Sequence, residues 1–376
     1  MTSLFSLLVS ASLLSVLAES VYIRKEVPHK NYQSYSSVHS NKKGSVTLVF
    51  IIAVILSLFS GLRTGFNDTY AYIQGFINRI PPSFSYISEF NFSLWDNSGF
   101  FIYQVLIKQY ISTDPQAFLL ISAFIANFLF VFFYYKYSPK FSLTIFIYIA
   151  SGLFVFSMAG MKQMFAMAIG IWAVHYYLNN KWIVFALLLL LAATIHPYIL
   201  IYASAPLFIK KMWSLREWVI IFFAVLGALY FEALLTLVID AHEVMGEDLS
   251  YELLMGSGVN IYRLLVYAVT PALAFIYRKK LRALQNPILT LSVNFSVITF
   301  IFMFISLWGN PALLARMAIY FEPFSYLALT YIVMNCFRKG QRIAISALLI
   351  LNYSLYFYYQ FAIAQPFVYE SILGTL

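Results

Sequence analysis

Charge is scarce in this chain: 10% of its 376 residues are Asp, Glu, Lys or Arg, whereas 62% are hydrophobic. A soluble globular domain carries about 25% charged residues, so that class is excluded. A single cysteine, Cys336, rules out an intramolecular disulfide and a cysteine-rich metal site. No HExxH, Walker-type or GxSxG pattern occurs, and the acidic residues do not form a calcium loop. The sequence therefore gives no reason to expect a metal or a cofactor. Long polar stretches are also lacking, and the two that exist, 24–43 and 63–97, are loop-sized, so no separate soluble domain is expected. The net charge of +9 comes from short basic clusters between apolar runs, which points to membrane topology and not to nucleic acid.

What fills the chain is apolar sequence in lengths that approach the hydrocarbon thickness of a bilayer. Candidate spans fall at 2–23, 45–61, 116–135, 141–158, 161–178, 182–195, 197–209, 217–239, 259–277, 287–308, 312–335 and 343–363. The reading is an all-α, polytopic transmembrane bundle of about 12 spans, one integral-membrane domain over 1–376. Val16-Leu17-Ala18 resembles a signal cleavage site, but no basic region precedes it, so the first segment is expected to stay as a span. Phe100 to Ile111 is too short to cross and contains Lys108; it is expected to lie at the interface.

Orientation follows from the basic residues. With 24–43 in the cytoplasm, 18 of the 24 Lys and Arg side chains fall inside. Segment 62–115 then becomes an external loop with an interfacial helix, and 240–258 an external acidic loop. The count also fixes the path through Thr194-Ile195-His196-Pro197-Tyr198. A single helix from 182 to 209 would put every later basic cluster outside. The chain is therefore expected to reverse at His196-Pro197, as a hairpin of two legs of about 20 Å at 1.5 Å per residue. Pro197 removes a backbone donor and biases His196 out of helical geometry.

With this threading, Arg63, Asp68, Lys162, His196 and Arg316 share the external side. Each has a plain structural reading: Arg63 as an anchor, Lys162 as a snorkelling side chain, His196 as a helix-end residue, Asp68 as the cap of a helix at 69–77. Arg316 lies one turn inside an apolar helix, with Glu322 as a candidate partner. Together the cations suit phosphate, Arg as a fixed fork of donors and Lys as a point charge. Tyr70, Tyr72, Phe76, Phe84, Tyr86, Phe90, Phe92 and Trp95 suit either an interfacial belt or stacking on sugar rings. Asp240, Glu243, Glu247, Asp248 and Glu252 form either a solvated loop or a source of a base.

In "SGLRTGFNDTYAYIQGF", "NSGFFIYQVLIK", "MKQMFAMAIGIWAVHYYLNNKWIVFALLLLLAATIHPYILI" and "ARMAIYFEPF", the sequence resembles the EpsG family of exopolysaccharide-biosynthesis membrane proteins, itself similar to Wzy-type polysaccharide polymerases. Arg63, Gly65, Asp68, Tyr70 or Tyr72, Gln163 and His196 fit the family pattern. Lys162 stands where an arginine is expected, which keeps the charge and loses the fork. The resemblance implies a GT-C-type integral-membrane glycosyltransferase in the cytoplasmic membrane of a bacterium. It would polymerise oligosaccharide repeat units carried on polyprenyl diphosphate at the external, periplasmic face, without a metal. The implied partners are that lipid-linked oligosaccharide, membrane lipid, and other polysaccharide-synthesis proteins including a chain-length regulator.

By the same resemblance, Arg63, Lys162 and Arg316 would hold the departing diphosphate. Tyr70, Tyr72 and Gln163 would contact substrate. His196 or Asp68 would accept the proton of the attacking hydroxyl, a role that a carboxylate of 240–258 fits equally. A lipid-linked saccharide flippase or transporter, a membrane acyltransferase and a non-catalytic binding subunit are the competing classes.

Overall fold

Helix starts are written into this chain as short polar residues ahead of apolar runs. Ser45, Asp114, Asn260 and Asn286 each accept a hydrogen bond from a first-turn backbone N–H, satisfying a donor that lipid would leave bare. Proline follows within the first turn after Asp114, Asn286 and Phe321, where its missing N–H costs little.

The computed structural model describes residues 2–20, 44–85, 97–230, 259–307 and 314–374, and within them the chain is almost wholly helical. In order these are α1 Thr2–Ser20, α2 Val46–Gly61, β1 Arg63–Gly65, α3 Thr69–Asn78, α4 Ser98–Tyr110, α5 Pro115–Tyr137, α6 Phe141–Ala150, α7 Leu153–Ala159, α8 Met161–Leu178 and α9 Trp182–Ile195. A 3-10 leg Pro197–Ser204 follows, then α10 Ala205–Phe208, α11 Leu215–Leu229, α12 Ile261–Ile276, α13 Arg278–Ala283, α14 Pro287–Ile305, α15 Leu314–Ile319, α16 Glu322–Cys336 and α17 Lys339–Tyr358. A π-helical turn Tyr359–Ala364 and β2 Glu370–Ser371 end the described chain. The loops expected at 24–43 and 240–258 lie outside the described residues, as do Tyr86, Phe90, Phe92 and Trp95.

The chain is a multi-pass membrane protein by its apolar helices, which differ in length among the described residues. Among the described residues, α1, α5, α14 and the run Lys339–Ala364 are long and apolar enough to cross a bilayer. A fifth candidate is the pair α6 and α7, bent by 49° at Ser151-Gly152. Segment 312–335, expected as one span, is interrupted at Tyr320-Phe321, and a new helix begins at Glu322-Pro323.

The basic clusters gather at one end of the bundle. Arg282 donates to the carbonyls of Met212 and Trp213, and Lys280 to that of Cys336 at 3.2 Å. Lys140 pairs with Glu19, and one turn later Thr144 meets Thr330 on α16. The chain reverses at His196. Beyond it, Ile199 and Tyr202 pack against Gly170, halfway along α8, and Asn294 binds the carbonyls of Phe208 and Lys211 further toward the basic end. A Cβ at Gly170 would meet Ile199 at 2.7 Å, so glycine is what lets the returning leg lie against α8. The 3-10 geometry rises about 2 Å per residue, which lengthens a leg too short to reach across as an α-helix.

The opposite end is capped by α3 and α4. Lys108 does not snorkel away; its Nζ donates to the carbonyls of Phe76, Ile77 and Ile80 at 2.7–3.0 Å and closes the C-terminus of α3. Finally the chain returns to this end, and β2 pairs antiparallel with β1, Arg63 opposite Ser371 and Gly65 opposite Glu370. Tyr369 stacks on Phe59 at 4.5 Å between centroids and donates to its carbonyl.

Candidate functional site

At the non-basic end, α8 begins where α7 stops, at Gly160, so Lys162 and Gln163 lie in the first turn of a helix after a break. Gln163 is buried, and its Nε2 donates to the carbonyl of Arg316 at 2.8 Å, fastening α8 to α15. The Arg316 side chain is left exposed. His196, at the turn between α9 and the 3-10 leg, is half-buried, and its Nδ1 is 2.6 Å from the hydroxyl of Tyr320. Lys162 and Arg316 are its charged neighbours. Burial first, and then these two cations, push His196 down to about 4, so the imidazole is neutral at physiological pH. Three separate elements thus bring Lys162, His196 and Arg316 into one basin. Arg79, at the end of α3, is an electrostatic neighbour of Lys162 and adds a further cation. Lys162 also lies over the ring of Phe100 at 5.5 Å, which limits where its ammonium can point.

Arg63 stands apart from this basin. It is 1% exposed, its Nε donates to Thr69 Oγ1 at 3.0 Å, and its other nitrogens meet the Ser60 carbonyl and Met161 Sδ. One side chain therefore ties the end of α2 to the starts of α3 and α8. Burial lowers it to about 10, which leaves it protonated at neutral pH. Tyr72 reaches the same place from α3, its hydroxyl near the backbone of Lys162 and Met161. Asp68 is at the N-cap position of α3, but its carboxylate makes no capping bond; the cap reading fails because the side chain is turned out and exposed. Its electrostatic neighbour is Tyr72. Tyr70 is 71% exposed.

Glu322 is not the partner of Arg316. It is 1% exposed, and it accepts from the hydroxyl of Tyr267 on α12 and from that of Tyr326 at 2.7 Å. Ser151, in the α6–α7 break, hydrogen-bonds Tyr326 at 2.7 Å. Arg263 is an electrostatic neighbour of Glu322, with its guanidinium 5.8 Å from the Tyr267 ring centroid. A buried carboxylate left bare would cost several kcal/mol, and these donors and the nearby cation offset it. The sequence signal for this cluster was present in two intramembrane ionisable residues, Arg263 and Glu322, but nothing in it paired them.

Among the described residues no group of three or more His, Cys, Asp or Glu side chains is placed to hold a metal. The arrangement can bind an anion beside a neutral imidazole. No curated protein and no solved structure matches the chain. The model of the EpsG family matches residues 46–371, a stretch that contains every residue of the basin. The chain belongs to the EpsG family, membrane proteins of exopolysaccharide biosynthesis.

Proposed function

We propose that the protein polymerises polyprenyl-diphosphate-linked oligosaccharide repeat units by glycosyl transfer at the external face of a bacterial cytoplasmic membrane. The observation that carries this reading is the convergence of Lys162, Arg316 and His196 at the end opposite the basic clusters. Lys162 and Arg316 take the diphosphate, whose negative charge grows as the anomeric C–O bond breaks; a preorganised cation at such a position is commonly worth about 3–4 kcal/mol of barrier. The acceptor hydroxyl oxygen forms the new C–O bond, and its proton passes to His196 Nε2. That step requires the tautomer in which Nδ1–H donates to Tyr320, leaving Nε2 free. Gln163 positions Arg316, Arg63 and Tyr72 position the first turn of α8, and Tyr70 meets substrate from the exposed side. Asp68 is the alternative base.

The test is the purified protein in lipid nanodiscs with a defined lipid-linked repeat unit. Wild type should give a ladder of chain lengths. Arg316→Ala should lose about 100-fold or more in rate, and Lys162→Arg should retain activity. Absence of a ladder, together with movement of the lipid-linked saccharide across sealed vesicles, would sink this reading in favour of a flippase.

A further inference from the structure

Three interruptions of helical structure meet at one place. Ser151-Gly152 separates α6 from α7, with Gly152 at φ +92°; Tyr320-Phe321 separates α15 from α16; and the π-helical turn Tyr359–Ala364 ends α17. Ser151, Gly152, Ile319, Glu322, Gln360 and Phe361 line a single cavity of about 120 Å³. Broken helices at membrane depth are tolerated where the freed backbone is covered by protein or lines a polar cavity, and π-turns concentrate at functional sites. Three breaks around one cavity point to a built compartment.

Its chemistry is mixed. Glu322 supplies acceptors, Arg263 supplies donors and has a buried Nε without a hydrogen-bond partner among the described residues, and the paired amides of Gln360 and Gln365 supply both. Phe66, Phe156 and Phe361 add aromatic faces. Glu322 beside Arg263 removes the net positive charge that a diphosphate needs, and Arg263 removes the net negative charge that a cation needs. Donors, acceptors and rings together suit a neutral, hydroxyl-rich ring. The volume matches on the order of four water molecules at roughly 30 Å³ each, and because the cavity is half-open it takes one side of a sugar ring and leaves the rest outside it.

The cavity also adjoins the cationic basin. Ile319 lines it one turn from Arg316, and Ala159 lines it three residues before Lys162. We infer that this cavity is a saccharide subsite in which Glu322 and Arg263 bind the terminal ring of the acceptor, while its reacting hydroxyl faces the basin. The assignment to the acceptor rests on the glycosyl-transfer reading; the binding of a sugar ring does not.

The experiment uses the full chain in nanodiscs, with Cys336→Ser and Gln365→Cys, and follows labelling at position 365 by a membrane-impermeant maleimide. The probe is lipid-free and diphosphate-free oligosaccharide of one repeat unit, cut from the polysaccharide of the producing cell. It should slow labelling at 365 about tenfold, and Glu322→Gln should raise the concentration needed about tenfold or more, the usual cost of a lost charged hydrogen bond. Inorganic diphosphate should leave 365 unprotected and instead protect a cysteine at Tyr198→Cys, an exposed position beside His196. Unchanged labelling at 365 under saturating saccharide overturns the subsite, even if polymerisation proceeds. Protection at 365 in a chain that forms no polymer keeps the saccharide subsite and rejects the transferase reading and the acceptor assignment.

Discussion

Tyr320 and His196, 124 residues apart in sequence, share a 2.6 Å hydrogen bond between the phenol hydroxyl and Nδ1. Tyr320 is itself fixed, because its carbonyl accepts from the hydroxyl of Tyr202 on the returning leg. The pair sets which ring nitrogen faces the basin. Tyr320→Phe should lower the polymerisation rate about 10- to 100-fold by freeing the ring, and His196→Ala about 100-fold or more. Chain-length ladders at equal protein level are the measurement. A full-rate Tyr320→Phe enzyme would mean that the imidazole needs no orienting partner.

A pH dependence follows from the depressed value of His196. Its folded value, about 4, is below the ordinary 6.5, so between these values the unfolded chain binds more protons. The resulting stability contribution is complete above about 6.5 and is lost as pH falls toward 4. On the glycosyl-transfer proposal His196 is the base and stays neutral over the same window, so the acid limb of kcat/KM should lie near 4. Removing a neighbouring cation by Arg316→Ala should move that limb upward. A wild-type limb near 6.5 would remove His196 from the buried, cation-flanked setting described above.

Arg63 should behave as a positioning residue. Arg63→Ala leaves the Ser60 carbonyl and Thr69 without their donor, at a cost of about 1–3 kcal/mol for each buried group left unmet. Arg63→Lys cannot span the same partners, so both variants should lower the thermal unfolding midpoint of the detergent-solubilised protein. Residual activity should follow the folded fraction. An Arg63→Lys protein with an unchanged midpoint and no activity would instead place this guanidinium on the substrate.

The chain reversal at His196 is open to a direct check. In a Cys336→Ser background, Tyr198→Cys should be labelled in intact cells by an impermeant thiol reagent, and Lys210→Cys only after permeabilisation. Labelling of position 210 from outside would contradict the two-legged path.

Much of this architecture was legible one segment at a time. Apolar runs mark the helices, Pro197 marks the reversal, and Lys108 within a short apolar stretch marks the capping helix α4. The split of 312–335 was hidden because hydrophobic residues run on through Ile319, Tyr320 and Phe321; Pro323 was the one start signal in that stretch. Partner choice was not legible either. Glu322 meets Tyr267, 55 residues away, and not the arginine six residues before it. Nor does sequence reveal that the donors of Arg63 are used up inside the protein. Such pairings depend on which helices become neighbours, and hydrophobic periodicity does not encode that.

The β1–β2 pairing gives the protein an order of assembly. Tyr369 meets the Phe59 carbonyl across 310 residues of sequence, so the end of α2, made early, is joined by a strand made late. The β1 end of α2 therefore gains its partner strand only after the chain has been made as far as residue 371.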